Sequence, residues 1–173
     1  MSFYLVLTLI LTGVVFIVFA MFLLQILSLR KTILLREQRI ISLYKEKIDK
    51  IPAFIEIISK KTTHTDIFLE IIHLHKVAII SNIGSIYDIL ETNSRIHREF
   101  VFLMKVSAHI QDLQKNGNFL YIRDFIMFYE NTISKEMLFL NSDIEKYTEL
   151  LRKKDLTIVG LFFPFKKYMR IAS

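Results

Sequence analysis

NFLYIRDFIMFYENTISKEMLFLNSDIEKYTELL, Asn118 to Leu151, places apolar residues at steps of three and four: Phe119, Ile122, Ile126, Tyr129, Ile133, Met137, Leu140, Ile144, Tyr147 and Leu151. That spacing collects them on one face of an α-helix, and no glycine or proline interrupts the run. A single helix over 119–153 with one long seam is predicted. The stretch before it carries a stripe of its own, Ile89, Ile96, Phe100, Leu103, Ile110 and Leu113. Two such stripes satisfy each other in an intramolecular bundle, and a dimeric coiled coil closed through the 119–151 seam is the competing reading.

Working outward, Lys115-Asn116-Gly117-Asn118 is a turn, so a helix is expected over 85–114. Ser85 with Asp88 three residues on resembles a capping box, and Ser81-Asn82-Ile83-Gly84 ends a helix over 66–80. Between 30 and 63, apolar residues at Ile33, Leu34, Ile40, Ile41, Leu43, Tyr44 and Ile48 keep a helical period. Pro52 lacks an N–H and its ring crowds the carbonyl one turn back, so a kink belongs at Ile51–Pro52. The fold class is all-α: an up-down antiparallel bundle over 30–155, built on a longer N-terminal helix.

That N-terminal helix begins with Phe3 to Leu29, which holds no charged side chain. At ~1.5 Å per residue it reaches ~40 Å, enough to cross a hydrocarbon core of ~30 Å with tilt. The start MSFY lacks the basic residues of a signal peptide and no small-residue cleavage pattern closes the run, so residues 1–29 are expected to be a retained anchor. Arg30, Lys31, Arg36 and Arg39 follow it closely, which predicts a single-pass inner-membrane protein with its bulk in the cytoplasm. At the other end, 156–173 forms an apolar and basic tail. Phe162, Phe163, Phe165, Lys166, Lys167 and Arg170 suit an interfacial foot, apolar atoms in the acyl boundary and cations at anionic headgroups. A cap on the bundle or a contact with a partner subunit accounts for the same residues.

Composition narrows the chemistry. With no Cys in 173 residues, disulfides, thiol nucleophiles and Cys-based metal sites are excluded. A net charge of +6 is spread among acids along amphipathic helices, unlike the massed basic arm of a nucleic-acid binder. Glu70 and His73 have the E-x-x-H spacing of di-iron bundles but lack the second pair such a site needs. His73 and His75 project ~200° apart on a helix and cannot share an ion, while His64, His97 and His109 stand alone. No phosphate loop or nucleophile motif is present. No cofactor, no metal and no catalytic residue are expected.

One acid stands out. Glu130 lies ~40° round the helix from Ile126, inside the seam, whereas Asn131 points away. If the first body helix leaves the membrane at Arg30 and the last returns near Lys153, Pro52 and Glu130 sit at depths of ~33 and ~34 Å. A structural joint is therefore expected in which Glu130 accepts hydrogen bonds from the N–H groups of Ala53 and Phe54, freed where Pro52 restarts the helix. An ion pair with a lysine of a neighbouring helix is the alternative.

These blocks resemble the LemA family of bacterial single-pass membrane proteins. DLQKNGNFLYIRDFIMFYENTI matches its L-x-x-N-x-x-F-x-x-L-x-x-x-L-x-x-x-E-N-x-I signature through Leu113, Asn116, Phe119, Ile122, Ile126, Glu130, Asn131 and Ile133. IDKIPAFIEIISKKTTH is similar to a second block through Asp49, Ile51, Pro52, Phe54, Ile55, Glu56 and His64, and LNSDIEKY to a third through Asn141, Ile144 and Tyr147. Ala53, Thr65, Lys154-Asp155 and Pro164 depart from the family pattern and mark a divergent branch. The resemblance implies an anchored antiparallel helical body and no reaction. A non-enzymatic scaffold or interaction protein is expected, meeting the lipid bilayer and an unidentified membrane or cytoplasmic protein, able to self-associate, and without nucleic acid.

Overall fold

A computed structural model describes residues 2–62, 66–80, 86–155 and 167–171. The order is α1 (Ser2–Ile48), α2 (Ile51–Ser59), a 3₁₀ turn (Asp66–Phe68), α3 (Leu69–Ile80), α4 (Ile86–Ala108), α5 (Gln111–Gln114) and α6 (Gly117–Asp155), with no strand among the described residues. α1 runs unbroken for 47 residues, so the apolar N-terminal helix continues into the helical body as its uninterrupted period predicts. Among the described residues it is the one helix long and apolar enough to cross a membrane.

Several boundaries differ from the sequence expectation. The chain breaks at Asp49–Lys50, just before the expected Ile51–Pro52, because Pro52 is accommodated in the first turn of α2, where its missing N–H costs nothing. The 66–80 helix opens with a 3₁₀ turn. The helix expected over 85–114 stops at Ala108 and restarts at Gln111, with Ile110 extended between them. The Ser107 carbonyl at that break accepts twice, from Ile110 N–H at 3.1 Å and from the Gln114 side-chain amide at 3.1 Å, which ties α5 back to the end of α4. The expected turn at Ser81–Gly84, the Ser85 cap and His64 lie outside the described residues.

The chain divides into two compact units, one formed by Glu37 to Met137, the other by α1 up to Arg36 with α6 from Leu138 onward. In the first, Phe54, Phe100 and Phe119 make an aromatic layer: Phe54 packs against Phe100 at 4.8 Å between centroids and stacks on Phe119 at 5.8 Å. Ile89, Ile96 and Leu103 of α4 and Ile126 and Ile133 of α6 are buried with them. In the second, Ile26 and Ile33 of α1 are buried, as are Leu140, Ile144 and Tyr147 of α6. The buried positions recur every seven residues, Phe119, Ile126, Ile133, Leu140 and Tyr147 along α6 and Ile26, Ile33 and Ile40 along α1, which is the period of knobs-into-holes packing.

Candidate functional site

The seven-residue series in α1 continues from Ile40 to Lys47, a lysine with no exposed surface. Its Nζ pairs with Glu130 Oε2 and donates to Asn93 Oδ1 at 2.6 Å. Asn93 sits in the buried stripe of α4 and in turn reaches Glu130 Oε1 at 3.5 Å through Nδ2. His97, one turn further along α4, holds Nδ1 3.7 Å from the same oxygen. Three helices thus meet in a polar layer, to which α1 and α6 supply one side chain each and α4 supplies two. Burial pushes the Lys47 ammonium below the usual lysine range, and the Glu130 carboxylate opposes that shift through its charge and hydrogen bond.

Glu130 therefore lies in the seam as expected, but its partner corrects the proposed joint. Phe54 N–H bonds to the Lys50 carbonyl at 3.1 Å, because the chain stays nearly helical across Asp49–Lys50 and no free N–H of Phe54 awaits a carboxylate. Pro52 is exposed, Ala53 half-buried and Phe54 buried among aromatic rings, so that segment serves apolar packing while Lys47, five residues earlier, meets the acid. The lysine alternative is the observed arrangement. His97 belongs beside Glu130 instead of standing alone. Lys47 and Asn93 carry one sequence signal, that each falls in the register of its helix's buried residues.

The remaining signature residues explain themselves locally. Asn116 caps α6, its Oδ1 accepting from Phe119 N–H at 3.1 Å and its carbonyl from Leu120 N–H at 3.0 Å. Leu113 and Phe119 are buried on either side of that cap, and Asn131 is exposed. In the other unit, Asn141 clips the chain end: Nδ2 donates to the Ile171 carbonyl and Oδ1 accepts from Ile171 N–H, both at 2.9 Å. Tyr147 meets Tyr168 edge-on at 5.5 Å. Lys167 and Arg170 are exposed, while Phe162, Phe163, Phe165 and Lys166 of the expected foot lie outside the described residues.

Comparison with protein-family models matches the LemA family over residues 36–171, a span that takes in the polar layer, the α6 cap and the Asn141 clip. The chain belongs to the LemA family. Neither a comparison with curated proteins nor one with solved structures returns a match. What this LemA-family arrangement can do chemically is limited by access. Nζ of Lys47 has no solvent contact, so the layer holds helices in register and offers no amine to a substrate. Glu70 of the E-x-x-H pair is bonded to Arg95 at 3.1 Å, and no group of three or more metal-ligating side chains gathers among the described residues.

Proposed function

We propose that this LemA-family chain is a membrane-anchored helical scaffold, crossing the bilayer once through Phe3–Leu29 and presenting its body to partner proteins on the cytoplasmic side without catalysing a reaction. The observation that carries the reading is the contrast within α1. Large apolar side chains from Phe3 to Val18 are at least half exposed, whereas Ile26, Ile33 and Ile40 further along are fully buried. An apolar surface of that length is stable only against lipid or another apolar face.

The native chain has no cysteine, which makes single-cysteine reporters clean. A cysteine at Ser2 should react with an impermeant maleimide added to intact spheroplasts, and one at Glu91 only after the membrane is opened. Labelling of the Glu91→Cys protein from outside, or release of the parent by alkaline carbonate, overturns the topology. Crosslinking in native membranes with mass identification then names the partner. The coiled-coil alternative, with the α6 seam shared between copies, is disfavoured by burial of Phe119, Ile126 and Ile133 within one chain. A stable dimer of the full chain in detergent, lost on substituting those residues, would favour it instead.

A further inference from the structure

A cavity of about 370 Å³ opens beside the chain end, within the range of about 300–1,000 Å³ typical of small-molecule sites. Ile144 and Asn141 are buried at its base, and Glu145, Thr148, Glu149 and Arg152 rise from one face of α6. Tyr168 and Arg170 close the other side. The wall is held in place deliberately: the Asn141 amide spends both its ends on the Ile171 backbone, and Tyr147 packs against Tyr168. Asn141 and Tyr147 are the motif residues that the scaffold reading left without a task beyond packing.

The charges are balanced, two guanidinium groups against two carboxylates. Glu149 and Arg152, three apart on the helix, hold their Cβ atoms about 5–6 Å from each other, so opposite charges are presented side by side. Guanidinium groups match phosphate oxygens in a forked geometry, and carboxylates accept hydrogen bonds from a primary ammonium. The Thr148 hydroxyl already donates to the Ile144 carbonyl, which leaves its oxygen an acceptor toward the cavity. The cavity also lies at a defined level. Ile26 and Ile33 of α1 are buried in this same unit, Arg36 pairs with Asp143 at 2.6 Å, and Arg30, the first charge after the apolar run, is close enough to Tyr147 to act on its hydroxyl. Ile144 to Arg152 covers about 12 Å of helix around Tyr147.

We infer that this cavity binds the zwitterionic headgroup of a phospholipid carrying a primary ammonium, phosphate on Arg152 and Arg170 and ammonium on Glu145 and Glu149. The inference rests on the reading of α1 as a membrane span, since that places Arg30 and the cavity beside it at headgroup level. It differs from an interfacial foot, whose cations alone favour anionic lipid.

The test is native mass spectrometry of the full-length protein released from micelles doped equally with phosphatidylethanolamine, phosphatidylglycerol and phosphatidylcholine. The parent should retain phosphatidylethanolamine over the other two by about tenfold, the loss expected from one charge-assisted contact. Glu145→Gln/Glu149→Gln should lose that preference yet keep phosphatidylglycerol, and Arg152→Gln/Arg170→Gln should lose both lipids. All four side chains are exposed, and unchanged helical circular dichroism confirms folding. Equal retention of the three lipids by the parent, or unchanged phosphatidylethanolamine in the Glu variant, overturns the inference. Displacement of the lipid by inorganic phosphate as effectively as by glycerophosphoethanolamine also overturns it, in favour of a soluble-anion site. Alkaline carbonate separates the two readings: a protein that stays in the membrane without lipid preference refutes the cavity assignment alone, and a protein that is extracted refutes the anchor.

Discussion

Phe54, Phe100 and Phe119 fill the body by contact alone, whereas Lys47 and Asn93, each seven residues ahead of one of those rings, fill it with Glu130 by charge and hydrogen bonding. The aromatic layer is tolerant, because any apolar group of similar volume keeps most of its contacts. The polar layer is conditional. Each member repays its lost hydration only while the others are present, so the layer contributes register more than net stability.

The largest effect should come from breaking the conditional layer at one point. Glu130→Leu keeps the volume but leaves Lys47 buried without a counter-charge, and is expected to cost about 3–5 kcal/mol in urea denaturation of the detergent-solubilised protein. Glu130→Gln should fall between that variant and the parent, since an amide oxygen accepts the hydrogen bond without neutralising the ammonium. Replacing the three hydrogen-bonded members together, Lys47→Met with Asn93→Leu and Glu130→Leu, should bring stability back to within about 1 kcal/mol of the parent or above it. A triple variant as unstable as Glu130→Leu would mean that the ionic layer stabilises outright, and the contrast with the aromatic layer would be gone.

On the tolerant side, Phe100→Leu should cost about 1–2 kcal/mol, measurably less than Glu130→Leu despite the larger volume removed. Asn116→Ala should cost about 1 kcal/mol, the worth of one N-cap, and Asn116→Ser should restore most of it. Equal losses for Phe100→Leu and Glu130→Leu would show that packing, not charge, dominates both layers.

The difference between the layers also explains what the sequence made legible. Apolar periodicity announces itself, so the unbroken α1, the family signature and the buried line of the α6 seam, Phe119, Ile126, Ile133, Leu140, Ile144 and Tyr147, are readable, while Ile122, Tyr129, Met137 and Leu151 of the same seam are only half-buried. Glu130 was conspicuous as an acid inside that seam. Lys47 was not, because the run Lys45-Glu46-Lys47 looks like a solvated face, and a lysine stem ordinarily carries its charge to water. Only its seven-residue distance from Ile40 marks it. The break at His109–Ile110 had no proline or glycine to declare it, and apolar Ile110 and Leu113 fit the running period, so a continued helix was the natural reading. Its cause is tertiary: the chain re-enters at Gln111 with Leu113 buried, ahead of the Asn116 cap.

The smallest expected effect sharpens the comparison through pH. Because burial lowers the folded-state pKa of Lys47 below its ordinary value of 10.5, the unfolded chain holds more protons between those two values. Raising pH across that window therefore favours the folded state, and the gain is complete once the unfolded lysine has also lost its proton. The Lys47→Met, Asn93→Leu, Glu130→Leu protein lacks the group and should lack the slope. Burial raises the Tyr44 hydroxyl, which works in the opposite sense above the ordinary tyrosine pKa, but both proteins keep Tyr44 and the difference between them cancels it. The parent should thus gain on the triple variant as pH rises through the alkaline range. Parallel curves would place the Lys47 pKa at its unfolded value, which is incompatible with an ammonium that has left water at a cost, and the polar layer would then be no more conditional than the aromatic one.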